Sequence, residues 1–563
     1  MQEVKWEPKF DYNHVSAYVD PKRPWLKYWP KNVPKSIKFD PITVHDYVRI
    51  RAQQFPNNIA IYFVPANRKY TYREVFWYAD KVANALYEKL GVKKGDSVAI
   101  MTSNRPEFIF ASLGITQCGA SVSPVNPLLK ESDVNHIIRE AGNINTIFVH
   151  KGNYRIIKKV RKNVELENVI LLGTDKAKDD AITFDQLIQD AAPHPPEVAI
   201  DPDQDIAALL FTGGTTGLPK GVMLTHTNLV ADTLVTANME KDRYEEQLGK
   251  SASLAILPLC HAFGYEVVIL ALAAASMMIM FNSFDPSQVL EAIEKYRVPM
   301  FVGVPVMYQM LVNHPDFKEG KRDLSSLESA TSGSAALPPE INKRFEERTG
   351  VRVGQGFGLT ETSPITHIQP SWLPEIKPES IGIPVIDTDA KIVDPVTLEE
   401  LEPGQVGELL IRGPQVMKGY WKKPEVTAQT IIDGWLRTGD LARMDENGYF
   451  YIEGRTKDVI KYKGYKVMPR EVEEKLFEHP AILEAGVVGV PDPNIGETIK
   501  AFIVLKKEFR GKITEKEIIE WAKEKLAGYK YPRKVEFLSS LPRTPVGKIF
   551  RRKLREMEEK IQK

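Results

Sequence analysis

Short apolar runs alternate with amphipathic stretches from about residue 40 to about residue 440, and that alternation predicts an α/β architecture. Residues 207–211 and 221–224 are apolar and strand-like, with a glycine- and threonine-rich connection between them. Asp285 suits an N-cap, Pro286 the first helical position, and Val289, Ile293 and Tyr296 fall on one helical face. Residues 298–304 and 351–353 are further strand candidates. The longest apolar run, 267–281, falls short of the ~20 residues that span a bilayer and reads as one buried element.

Past residue 455 the pattern changes. Residues 461–467, 486–490 and 501–505 read as strands and 470–477 as a helix, while Thr514 and Glu517 form a capping box opening a helix through Leu526. A boundary near 455–458 follows. It leaves residues 1–454 as a large N-terminal α/β region, 455–458 as a linker, and 459–563 as a small α+β domain. At 563 residues the chain exceeds the size at which one core stops growing, in keeping with that division.

Composition narrows the function by exclusion. Lys plus Arg total 75 against 74 for Asp plus Glu, so the net charge of +1 gives no global attraction to nucleic acid or anionic membrane. Cys118 and Cys260 are the only cysteines, too few for a disulfide framework or a thiolate metal site. The N-terminus has no apolar signal core, and a soluble cytoplasmic protein with reduced thiols is expected. Trp25, Tyr28 and Trp29 suit either a membrane interface or an arm packed on the domain surface, and the packed arm is preferred.

The candidate chemistry starts at residues 212–221, Thr-Gly-Gly-Thr-Thr-Gly-Leu-Pro-Lys-Gly. Gly213, Gly214 and Gly217 allow a tight loop whose N–H groups can face an anion. Thr212, Thr215, Thr216 and the Lys220 ammonium add donors and a charge suited to polyphosphate. No Gly-Lys-Ser/Thr opens a helix, so this is not a Walker loop. Further on come Gln-Gly-Phe-Gly-Leu-Thr-Glu at 355–361, Gly-Trp-Leu-Arg-Thr-Gly-Asp at 434–440, and Gly-Arg-Thr-Lys-Asp at 454–458. Leu-Pro-Arg-Thr-Pro-Val-Gly-Lys-Ile at 541–549 is a helix-free loop presenting Lys548. Taken singly, these are a turn, a loop carboxylate, a charged linker and a basic tail, and Arg551, Arg552, Lys553 and Arg555 read as solvated.

Together and in this order, the segments resemble the signatures of the adenylate-forming superfamily, which includes acyl-CoA synthetases, aryl-CoA ligases, luciferases and peptide-synthetase adenylation domains. The resemblance runs from about residue 40 to residue 554. It implies a large multi-subdomain adenylate-forming domain with a small mobile C-terminal domain, and ATP, Mg²⁺ and CoA as cofactor and co-substrates. Phe357 is implied against adenine, Thr360 on the α-phosphate, and Glu361 on Mg²⁺. Gly333, Ser334, Gln355 and Gly356 are further implied nucleotide contacts, with Asp440 implied on the ribose hydroxyls and Arg455 as a second nucleotide contact. Lys548 resembles the family's catalytic lysine, Lys457 its hinge, and Lys463, Gly464 and Tyr465 the loop that meets the pantetheine arm.

Residues 257–264, Leu-Pro-Leu-Cys-His-Ala-Phe-Gly, match the segment bordering the family's acyl pocket, placing His261, Phe263 and Gly264 there with Gly358. Amino-acid-activating relatives carry an aspartate near this segment, and 261–264 has none. Acetate-activating relatives carry tryptophan where Gly358 falls, so a longer acid is implied. The expectation is a fatty-acyl-CoA ligase for medium- to long-chain acids. The alternatives are an aryl-CoA ligase, an acyl-AMP ligase loading a carrier protein, a luciferase-like oxygenase and a non-catalytic nucleotide-binding scaffold. Free CoA is favoured over a carrier because no carrier segment follows Lys563. A homodimer is common in the family.

Overall fold

The computed structural model describes residues 9–12, 14–212, 219–463, 465–492, 495–543 and 549–561. The chain folds as two compact units: one of residues up to 212, 219–390 and 411–436, the other of 391–410 and 437 onward.

The largest sheet of the first unit has eight strands, in the order Gly419–Tyr420, Lys220–Thr225, Ile206–Thr212, Ser121–Pro124, Ser97–Met101, Ile144–His150, Asn168–Leu172 and Ile182–Thr183. Pairing is parallel from Ile206–Thr212 outward to Ile182–Thr183, and antiparallel where Lys220–Thr225 meets its two neighbours. Every residue of Ser97–Met101 is buried, as a strand covered on both faces requires. A second sheet orders Ala252–Ala255, Met277–Met280, Ile59–Phe63 and Arg68–Thr71. A third is parallel throughout: Met300–Gly303, Ser329–Ser332, Val353–Gln355.

Several expected elements stand where the pattern put them. Helix Pro286–Tyr296 is capped by Asp285, whose carboxylate accepts the Gln288 N–H at 2.9 Å. The N-terminal arm is packed: Trp25 is buried, Arg23 pairs with Asp389 at 2.7 Å, and the Ile37 N–H donates to Asp387 at 2.7 Å. Other expectations need correction. The run 267–281 is two elements, helix Ala262–Ala273 and strand Met277–Met280, divided at Ala275 with φ 50. Unbroken apolarity carries no period, so the break left no trace in the pattern. The strand expected over 298–304 is Met300–Gly303, because the Val298 N–H still caps the preceding helix at the Ile293 carbonyl. The strand expected over 351–353 begins at Val353 and runs to Gln355.

In the second unit, residues 440–444 of the strand Trp435–Met444 pair antiparallel with Phe450–Arg455. A five-stranded sheet follows, in which Gly496–Leu505 pairs antiparallel with Ile482–Asp492 and parallel with Lys534–Phe537. Helices Pro469–Phe477, Glu515–Lys525 and Arg551–Ile561 complete it, and the Thr514–Glu517 capping box is present. The strand expected over 461–467 is a hairpin instead. Ile460–Tyr462 and Tyr465–Val467 pair antiparallel, and Lys463 reverses the chain at φ 48.

Among the described residues no helix is long and apolar enough to cross a membrane. Cys118 and Cys260 are both free and buried, and burial pushes each thiol up to about 12, so neither supplies a thiolate.

Candidate nucleotide and acyl site

Gly213, Gly214, Thr215, Thr216 and Gly217 lie outside the described residues, but both stems of their loop are in place. Thr212 closes one strand and stands in register with Lys220, which opens the next. Lys220–Thr225 in turn pairs with the two-residue strand Gly419–Tyr420, Val222 opposite Tyr420. This second pairing brings Tyr420 beside Lys220 at the stem. The Lys220 ammonium lies 4.2 Å from the centroid of the Tyr420 ring, and the Tyr420 hydroxyl donates to Glu361 Oε1 at 2.8 Å. The Met417 N–H donates to the Glu361 carbonyl at 2.9 Å and fixes the backbone of the same residue. One aromatic side chain therefore holds a lysine over its face and a carboxylate at its hydroxyl. Sequence reasoning missed Tyr420, and nothing in Gly419-Tyr420-Trp421 marks it as more than an apolar turn.

The parallel strands Met300–Gly303, Ser329–Ser332 and Val353–Gln355 end side by side, and the predicted nucleotide contacts follow their carboxyl ends. Ligands of parallel sheets bind in this position, outside the strand ends. Gly333 donates its N–H to the Gly303 carbonyl at 3.1 Å, Gly356 donates to Ser332 at 2.9 Å, and Ser334 takes φ 74. Gln355 is buried, and its side chain accepts from the Leu337 N–H and donates to the Pro378 carbonyl. Phe357 and Gly358 form a short strand against Ile365–Ile368. A Cβ on Gly358 would stand 1.8 Å from the Pro364 carbonyl oxygen, so this backbone approach excludes any side chain. Thr360 and Glu361 occupy a single 3-10 turn, Thr360–Thr362. The Thr362 hydroxyl donates to the Pro364 carbonyl at 2.6 Å and secures that turn. Behind it, the Ile365 N–H donates to Asp232 at 3.1 Å, and burial pushes the Asp232 carboxyl well above its ordinary range.

The acyl-pocket candidates are joined to this edge. The Phe263 ring lies over Gly333, where a Cβ would meet it at 2.9 Å. A Cβ on Gly264 would stand 2.2 Å from the Pro258 carbonyl oxygen, so helix Ala262–Ala273 can start this close to the preceding turn only with glycine. His261 is the N-cap of that helix, and its Nε2 is 3.1 Å from Asn126 Nδ2. Because Asn126 Oδ1 accepts the Leu128 N–H at 2.8 Å, its amide must donate to the histidine, which leaves Nε2 as acceptor. Asn104, also missed from sequence, clamps the segment. Its amide donates to the Leu257 carbonyl at 2.8 Å and its oxygen accepts the Leu259 N–H at 3.1 Å.

In the second unit, Asp440 and Arg455 are opposite each other across an antiparallel pair, with Arg455 Nε 2.9 Å from Asp440 Oδ1. The Asp440 side chain is 5% exposed and that of Arg455 37% exposed, so the arginine fixes the carboxylate from its open side. Lys457 is exposed on the turn Thr456–Asp458, and Lys463 and Tyr465 are exposed on the hairpin. The Tyr465 ring stacks on Tyr529 at 4.6 Å. Gly464 and Lys548 lie outside the described residues. The solvated reading of the basic tail is corrected for two of its members: Arg551 pairs with Glu473 at 2.7 Å and Arg555 with Asp458 at 2.8 Å.

Comparison with known proteins gives this arrangement its class. Residues 48–421 match the model of the AMP-binding enzyme family, and residues 471–548 match that of the AMP-binding enzyme C-terminal domain. A long-chain-fatty-acid–CoA ligase of Bacillus subtilis (strain 168) is 39% identical, over 95% of this chain and 98% of its own. 4-Coumarate–CoA ligase 2 of Petroselinum crispum is 35% identical, over 86% of this chain and 88% of its own. An ATP-bound crystal structure of MatB from Rhodopseudomonas palustris is 29% identical with a TM-score of 0.83, covering 93% of this chain and all of that one. The chain belongs to the AMP-binding enzyme family and, within it, to the AMP-forming acyl-CoA ligases, with a large N-terminal and a small C-terminal domain.

Tyr420→Phe keeps a ring beneath Lys220 and removes the bond that orients Glu361. A hydrogen bond to a charged group contributes about 1.5 kcal/mol or more, so ATP-dependent turnover is expected to fall roughly tenfold. Steady-state release of pyrophosphate checks this, and wild-type turnover would show that Glu361 needs no such anchor.

Proposed function

We propose that this enzyme activates a long-chain fatty acid with ATP to the acyl-adenylate and passes the acyl group to CoA. The observation that carries the proposal is the row Lys220, Tyr420, Glu361. A cation and a carboxylate stand at the end of a glycine-rich loop, as a polyphosphate and its counter-ion require. Fatty acids are preferred over aryl acids because the fatty-acid ligases matched span 95% of this chain, against 86% for the coumarate ligase.

In the first half-reaction an oxygen of the substrate carboxylate attacks the α-phosphorus of ATP, and the bond to the β-phosphate breaks to release pyrophosphate. In this reading Thr212, Gly213, Gly214, Thr215, Thr216, Gly217 and Lys220 grip the β- and γ-phosphates. Thr360 donates to the α-phosphate, and Phe357 lies on adenine with Gly333, Ser334, Gln355 and Gly356 around it. Asp440, oriented by Arg455, accepts from the ribose hydroxyls, since a carboxylate offers enough lone pairs for the arginine and both hydroxyls. Lys548 supplies an ammonium between the two reacting groups as negative charge grows on the phosphorus.

Glu361 fits Mg²⁺. Among the described residues no group of three or more His, Cys, Asp or Glu could hold an ion unaided. Mg²⁺ characteristically takes one or two carboxylates and completes its shell with phosphate oxygens and water. When bound it neutralises phosphate charge. The acyl chain is assigned to the pocket of His261, Phe263, Gly264 and Gly358.

In the second half-reaction the CoA sulfur attacks the acyl carbonyl and AMP leaves. Rotation at Lys457 would withdraw Lys548 and present Lys463, Gly464 and Tyr465 to the pantetheine arm. Magnesium use, a role in lipid metabolism and homodimeric assembly enter this proposal from family likeness, and a cytoplasmic setting from cysteine usage.

Two experiments test it. A CoA-dependent screen of acids graded by length and aromaticity is expected to peak at long aliphatic chains, and a peak at cinnamates or benzoates would reassign the substrate. Lys548→Ala is expected to lower adenylation by roughly a hundred- to a thousandfold, the typical cost of one such donor, while sparing thioester formation from supplied acyl-AMP. Equal loss of both half-reactions would remove Lys548 from its assigned role.

A further inference from the structure

The last helix, Arg551–Ile561, begins three residues after Lys548, and its first turns are fastened inside the small domain by charge. One guanidinium nitrogen of Arg551, Nη2, contacts both carboxylate oxygens of Glu473, at 2.7 and 2.8 Å, and its Nη1 lies 3.8 Å from Asp458. Arg555, one turn further, donates to Asp458 at 2.8 Å. Both carboxylates are sequestered, with side chains 7% and 10% exposed, and Glu473 also accepts the Val487 N–H at 2.8 Å. Asp458 is the neighbour in sequence of the assigned hinge residue, Lys457.

The stems of the 544–548 segment are tied to the same floor. Arg543 and Ile549 bridge antiparallel, and the Phe550 N–H donates to the Pro542 carbonyl at 2.8 Å. Arg543 reaches Glu484 at 2.8 Å. Leu541, Ile549 and Leu554 converge on Gly486, where a Cβ would meet them at 3.5, 3.3 and 3.0 Å. Glu484, Gly486 and Val487 all belong to the strand Ile482–Asp492.

We infer that Arg551 and Arg555 are positioning residues for adenylation, locking the platform that carries Lys548 to the hinge-side residue Asp458. The inference rests on the catalytic reading of Lys548 proposed above. Charge-assisted guanidinium–carboxylate bonds are short and strong, and held out of water they resist slippage in a way that exposed pairs do not. Displacing a reacting group by about 1 Å costs on the order of a hundredfold in rate, so a platform free to slip would lower adenylation without touching the nucleotide or the acid.

Arg555 is 30% exposed and so carries the main test. Arg555→Gln is expected to lower acyl-adenylate formation about tenfold, leave thioester formation from supplied acyl-AMP within twofold, and lower the thermal midpoint by only about a few degrees. Arg555→Lys is expected to recover most of the loss. Arg551→Lys keeps the charge but loses the second guanidinium nitrogen that faces Asp458, and is expected to show the same split. Unchanged adenylation in these variants, or equal loss of both half-reactions, would overturn the inference. Lys548→Ala run in parallel separates the two claims. If it abolishes adenylation while the arginine variants behave as wild type, only the platform fails; if it leaves adenylation intact, the catalytic reading fails first.

Discussion

A site for a polyphosphate needs a cation and, for the counter-ion, a carboxylate within reach of the same groups. Left to themselves, two such side chains attract each other. The Tyr420 side chain gives each its own station, the Lys220 ammonium over the ring face and the Glu361 carboxylate at the hydroxyl. A cation over an aromatic face gains about 0.5–2 kcal/mol, comparable with a hydrogen bond to a carboxylate, so neither contact dominates the other. The three residues are widely separated in sequence. They meet because Lys220–Thr225 pairs with Gly419–Tyr420, and because the Met417 N–H takes the Glu361 carbonyl two residues before that strand begins.

Around this row, close packing sets what the site can be. Gly358 and Gly264 each face a backbone carbonyl at a distance no side chain tolerates, 1.8 and 2.2 Å for a hypothetical Cβ. Sequence reasoning valued Gly358 for the room it leaves in an acyl pocket. The structure gives a different reason: the direction a side chain would take from Gly358 is filled by the Pro364 backbone, so glycine here permits close packing rather than opening space along that vector. Asn104 and Asn126 do comparable work on the other wall. By spending both ends of their amides on the 257–261 segment and its neighbours, they fix where His261 and Phe263 begin.

How much of this was legible depended on how local its cause was. The stems of the glycine-rich loop, the Asp285 and Thr514 caps and most strands of the small domain follow from residues within a few positions, and pattern reading found them. The break at Ala275 and the reversal at Lys463 each include a residue at positive φ in a run of otherwise consistent character, so the pattern carried through them. Tyr420, Asn104 and Asn126 gain their roles from partners far along the chain and had no local mark. The basic tail misled for the same reason. Arg551 and Arg555 look solvated until Glu473 and Asp458 are placed beside them.

The central claim is that the Tyr420-centred row serves the outer phosphates rather than the fold. Equilibrium affinities of Lys220→Ala, Glu361→Gln and the double variant for ATP with Mg²⁺ and for AMP test it most directly. The account expects each single change to weaken ATP binding about tenfold or more, a non-additive double variant, and AMP affinity within twofold of wild type. ATP and AMP weakened alike would contradict it, and would reduce the row to a structural support.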